Sequence, residues 1–92
     1  MTYLPGNEGD PPRVAYAIGR HVGGAVERNQ LRRRLRAVLV DLARRGEVAP
    51  GTYLIGASPA AAGMTIDRLL PAVRDALAAV QAQARPPSGA PA

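Results

Sequence analysis

Residues 13–39 read RVAYAIGRHVGGAVERNQLRRRLRAVL, and a change of period inside this stretch decides the fold. From Arg13 to Arg20 the residues alternate. Val14, Tyr16 and Ile18 face one way, and Ala15, Ala17 and Gly19 the other, which is the pattern of a half-buried strand. The second face carries only small side chains, so something broad can approach the backbone there. After the glycine hinge at 21–25 the apolar spacing becomes helical. Counted at about 100° per residue from Arg28, the side chains of Leu31, Leu35, Val38, Leu39 and Leu42 fall within one arc of about 100°. This predicts a helix from Ala25 to Arg45. Gly24 serves as its N-cap, and Glu27 stands third in the helix, where a carboxylate favours the N-terminal dipole. Asp41 and Arg45 are spaced to pair at i,i+4, and Gly46 is a stop signal.

The same helical count sorts the arginines. Arg28, Arg32, Arg36, Asn29 and Arg33 fall between about 0° and 140°, beside the leucine face, and Arg34 alone lies near 240°. Arg28, Arg32 and Arg36 form a row whose members rise about 6 Å apart, close to the phosphate spacing of a nucleic-acid strand. Their like charges repel at i,i+4, and a polyanion would reverse that sign. Arginine suits the task because its planar fork bonds phosphate bidentately and stacks on bases. The Gly23-Gly24 turn is expected to offer free backbone N–H groups for one more phosphate.

Working outward, "TYL" at 2–4 is a short β-like run and residues 5–12 form a Gly/Pro-rich loop. Residues 52–57, TYLIGA, read as a buried strand. A second helix begins after Thr65 as N-cap, with Met64 and Leu69 placed for a hydrophobic staple. Its apolar face is Ile66, Leu69, Leu70, Val73, Ala76, Leu77 and Val80, and Pro71 is expected to kink or delay its first turns. The expected fold is α+β: a small two-layer sandwich, a mixed sheet of about three strands with two helices on one face. Residues 1–84 form one domain, and the Pro-rich residues 85–92 are expected to be a disordered tail.

Composition narrows the function. The chain of 92 residues contains 12 basic and 7 acidic side chains, for a net charge of +5, and every basic residue is arginine. Six of those arginines and only one acid, Glu27, lie between Arg20 and Arg36, so the charge is local and marks a site. A local basic patch attracts a polyanion. With no cysteine in the chain, disulfide and thiolate chemistry are excluded. No apolar run approaches the ~20 residues of a membrane span, and residues 1–12 do not form a secretory signal. A cytoplasmic location follows as the default. The single histidine is His21, the serines are Ser58 and Ser88, and neither metal-ligand spacing nor a close carboxylate pair is present. A protein active site is therefore not expected. A membrane-surface helix would need interfacial aromatics, and the chain has no Trp or Phe. A DNA-reading helix would have only Asn29 and Gln30 for base edges.

This stretch resembles the signature region of the bacterial ribonuclease P protein subunit: an alternating strand, a basic pair, a Val-Gly-Asn-Ala turn, an Arg-Asn-Arg motif and a basic helix. Arg20 and His21 match the basic pair, Val22-Gly23-Gly24-Ala25 the turn, and Arg28-Asn29-Gln30 the motif. Arg32, Arg33 and Arg36 match the later basic positions. The chain departs from the pattern at Gly24, where the family has asparagine, and at Gln30, where it has arginine. A histidine at position 21 also replaces a basic residue. The likeness extends from Tyr3 to Val80. The family pattern is αβββαβα, and this chain would lack its first helix and strand.

The resemblance implies a subunit that binds the catalytic RNA and the 5′ leader of precursor tRNA. The RNA performs Mg²⁺-assisted hydrolysis, with no metal held by protein ligands. RNA contacts are expected at Arg20, His21, Arg28, Asn29, Arg32, Arg33 and Arg36. Leader contacts are expected along the sheet at Tyr3, Ala15 and Ala17. The alternative is a general or ribosome-associated RNA-binding module with no part in tRNA processing.

Overall fold

The computed structural model describes residues 1–84, so the expected tail lies outside the described residues. Three strands, β1 (Thr2–Pro5), β2 (Arg13–Ala17) and β3 (Gly51–Gly56), form one sheet in the order β1-β3-β2. β3 pairs antiparallel with β1 and parallel with β2. A parallel pair needs a long crossover, and helix α1 (Ala25–Arg44) lies within it. A second helix, α2 (Ile66–Ala84), follows β3. The α+β fold with a three-stranded mixed sheet is the one expected.

Two-residue alternation sets which sheet face meets the helices. Along β3, Gly51, Tyr53 and Ile55 are buried while Thr52, Leu54 and Gly56 are exposed. The buried side meets Leu31, Leu35, Val38, Leu39 and Leu42 of α1 and Leu69, Val73 and Leu77 of α2. The strand is thus buried on one face only, not on both: Leu54 remains 44% exposed because the helices cover a single side.

β2 is shorter than its alternation suggests. Its last pair is Ala17 with Gly56, where β3 ends. Beyond that point the chain has no ladder to join. Arg20–Val22 instead winds into a 3₁₀ turn in which the Val22 N–H donates to the Gly19 carbonyl at 3.1 Å. The turn buries Val22 beside Ile18 in the core.

Helix boundaries follow their local signals. α1 starts at Ala25 after Gly24 in extended conformation. It closes with the Gly46 N–H on the Ala43 carbonyl and the Glu47 N–H on the Leu42 carbonyl, both at 3.0 Å, with Gly46 at φ +74°. That pair of bonds is a Schellman ending. In α2 the Leu69 N–H bonds the Thr65 carbonyl at 2.9 Å. Regular helix begins at Ile66 and runs through Pro71, so the proline does not delay it. At this early position proline removes only one intrahelical donor. Ile66 is 44% exposed and does not share the buried face with Leu69, Val73 and Leu77.

β1 is locked by a tyrosine stack. Tyr3 lies opposite Tyr53 in register, and their rings stack at 4.6 Å. The Tyr3 hydroxyl donates to the Pro50 carbonyl at 2.8 Å and the Tyr53 hydroxyl to that of Ala49 at 2.6 Å. Burial pushes the Tyr53 hydroxyl up to about 12. A Cβ at residue 51 would run into the Leu4 carbonyl and the Tyr3 ring, so glycine is needed there for β1 to close on β3.

Candidate nucleic-acid interface

α1 is amphipathic around its whole circumference, and each sector has its own contacts. The leucine sector is buried in the core. Of the basic sector, Arg28 and Arg32 are half-buried, whereas Asn29, Arg33 and Arg36 are exposed. The Arg28 Nε reaches back to the Gly24 carbonyl at 3.4 Å. The Arg32 Nη1 donates to the Asn29 Oδ1 at 3.1 Å. Asn29 therefore orients a neighbouring guanidinium, a role its place in the motif did not disclose.

Among the described residues no carboxylate pairs with this sector. Among the described residues the ion pairs are Arg45 with Asp41 at 3.1 Å and Arg74 with Glu47 at 2.8 Å. The basic sector thus keeps its charge for an external anion, and low-dielectric protein beneath it strengthens the outward field. Arg34 differs: its Nη1 donates to the Ala62 and Met64 carbonyls at 3.2 and 3.4 Å. This arginine ties α1 to the segment ahead of α2.

Arg20 and His21 are exposed on the 3₁₀ turn that leads into α1. The His21 ring folds back toward Gly19, whose added Cβ would meet Nδ1 at 3.0 Å. Of the amides expected to be free at this turn, that of Gly23 is taken. The Gly23 N–H donates to the Arg20 carbonyl at 3.2 Å. The Glu27 carboxylate occupies the place a Cβ at Gly23 would take. Glycine makes room for the acid, and the acid places negative charge where a phosphate was expected.

The three proposed sheet residues do not form one surface. Ala15 and Ala17 are exposed on the open face, in register with Leu54 and Gly56. Tyr3 points to the opposite face, stacked on buried Tyr53. Val14 and Tyr16 are half-buried, on the side of β2 opposite Ala15 and Ala17. The open face presents Leu4, 68% exposed, and Leu54 rather than an aromatic ring.

A family model described as Ribonuclease P matches residues 1–81. The chain belongs to this family. Ribonuclease P protein components are among its relatives. That of Beutenbergia cavernae is 49% identical over 47 residues, 51% of this chain and 38% of the relative. That of Streptomyces bikiniensis is 38% identical over 53 residues, 58% of this chain and 42% of the relative. That of Acidothermus cellulolyticus is 38% identical over 73 residues, 75% of this chain and 58% of the relative. The chain therefore spans about half the length of the curated relatives it matches. No helix of the described residues is long and apolar enough to cross a membrane.

Proposed function

We propose that this chain is a protein subunit of ribonuclease P. In this reading it binds the catalytic RNA through the α1 sector and promotes cleavage of the 5′ leader from precursor tRNA in the cytoplasm. The observation that carries the reading is the row Arg28, Arg32 and Arg36 flanked by Arg33, none of which pairs with a carboxylate among the described residues. Each phosphate met by such a group releases counterions, so affinity comes with steep salt dependence. Arg20 extends the same charge along the turn before the helix, with the exposed His21 ring beside it.

The chemistry belongs to the RNA. Among the described residues no three acid, histidine or cysteine side chains gather to hold a metal ion. Mg²⁺ would be held by the RNA, whose phosphates the arginines screen and position. Ala15 and Ala17 leave the open sheet face shallow enough for an extended strand of leader. Contact there would be with ribose and base edges rather than by stacking, because the tyrosine rings face the helices.

The test measures cleavage of precursor tRNA by ribonuclease P RNA at low Mg²⁺, with and without the protein. Stimulation is expected, together with binding that an unrelated structured RNA competes poorly. Equal binding to both RNAs without stimulation would instead identify a general RNA-binding module.

A further inference from the structure

The end of the arginine row opens onto a groove that phosphate binding does not use. Between β2 and α1 lies a cavity of about 290 Å³ walled by Val14, Tyr16, Leu39, Val40 and Ala43, with Arg36 at its border. Three features suit it to a flat, partly apolar ligand. First, its walls are alkyl and aromatic, and Val40, one of these walls, is 45% exposed. Second, Tyr16 differs from the other two tyrosines. Tyr3 and Tyr53 donate to backbone carbonyls, whereas Tyr16 makes no side-chain hydrogen bond among the described residues. Third, β2 is an edge strand, paired only with β3. Its outer side therefore offers unpaired backbone donors and acceptors.

We propose that this groove takes one unstacked purine base of the RNA whose backbone lies along Arg28, Arg32 and Arg36, and that guanine fits it best. The inference rests on the RNA-binding reading above and adds a base-specific subsite to it. A base leaving its stack finds an aromatic ring in Tyr16 and apolar walls for its faces, as single-stranded RNA commonly does on proteins. Arg36 supplies the paired donors that match the O6 and N7 acceptors of guanine. The strand edge can meet the remaining polar edge of the base. The occupant is argued from continuity: Arg36 belongs both to the charged row and to the groove, so a strand held by the row runs past the cavity.

Ala43 is exposed and lines the groove, so Ala43→Trp plugs it from the surface and leaves every arginine in place. Filter binding of the full chain to ribonuclease P RNA over a range of salt is expected to show about tenfold weaker affinity for A43W, the loss of one stacked base. The slope of log affinity against log salt stays unchanged, because no phosphate contact is removed. Kethoxal probing of the RNA is expected to show one guanine protected by the wild-type protein and reactive with A43W. Circular dichroism melting checks that the variant is folded, and Ala43→Leu provides a smaller plug if it is not. Unchanged affinity and unchanged protections with either folded variant would overturn the subsite while leaving RNA binding intact. Failure of the wild-type chain to bind this RNA would overturn both readings.

Discussion

Arg34 and Arg36 stand two residues apart on α1 and point into different worlds. Arg34 turns toward the protein and spends its guanidinium on the carbonyls of Ala62 and Met64. Arg36 turns outward, exposed, at the end of a row with no acidic partner among the described residues and at the border of an apolar groove. The residue type is the same, and the helical angle alone separates the two roles: about 160° lies between them. Arginine content therefore says little about function by itself. What matters is which guanidinium groups the fold has already satisfied. Arg34, Arg45 and Arg74 have partners within the chain, whereas among the described residues Arg32 finds only Asn29, which shapes its direction without compensating its charge.

The largest effect is expected from removing two members of the outward set. Arg32→Ala combined with Arg33→Ala should lower the salt slope of RNA binding by about 1.4–1.8, from ~0.7–0.9 per phosphate contact. At 0.15 M salt this amounts to a deficit of roughly twentyfold that closes toward 1 M. Thermal unfolding of the free protein should be unaffected, because neither side chain supports the core. A melting point that falls with an unchanged slope would place these residues in the structural class. Arg34→Ala should behave in the opposite way. Two backbone carbonyls lose their donor, at a cost of about 1 kcal/mol, and in a domain of this size the melting temperature drops by about 4–8 °C. The salt slope for RNA should remain that of the wild type. A reduced slope would move Arg34 to the RNA-facing set.

The division between these classes was partly legible before any coordinates. The helical period separated the leucine face from the basic flank and set Arg34 apart, because both depend only on residues within one helix. What could not be read was the destination of each side chain across the chain. Arg34 bonds carbonyls that lie 28 and 30 residues later. Tyr3 belongs to the helix side only because the register sets it opposite Tyr53, and no local pattern in a four-residue strand reveals that. The length of β2 is hidden for a similar reason: its alternation persists to Ile18, but pairing stops where β3 stops. The Gly23-Gly24 turn looked open to anions. The Gly23 amide bonds the Arg20 carbonyl and the Glu27 carboxylate fills the space beside it, two contacts that the alternating pattern does not disclose. The strands, the helices and the charged flank are local matters. Faces, registers and satisfied donors are not.

Two smaller perturbations grade the arginines that have partners. Arg74 binds Glu47 through two nitrogens, at 2.8 and 3.2 Å, and Gln81 donates to the Glu47 backbone carbonyl. This pins α2 to the segment that follows α1. The side chains are 38% and 35% exposed, so water screens the pair, and Arg74→Ala should cost only about 0.5–1 kcal/mol despite the bidentate geometry.

Arg45 and Asp41 form a single contact at 3.1 Å with side chains 54% and 42% exposed. Arg45→Ala should cost about 0.3–0.5 kcal/mol, the range for an exposed i,i+4 pair, and the cost should fade as salt is added. Urea unfolding at low and high salt measures this directly. The decisive contrast lies in the two salt responses. Salt weakens the Arg45 pair within the protein by a few tenths of a kcal/mol. On the outward arginines it acts through released counterions and shifts RNA affinity by whole powers of ten. If Arg45→Ala also changed the salt slope for RNA, the charged face would extend beyond Arg36 to the C-terminal end of α1, and the boundary drawn by the Asp41 pair would not hold.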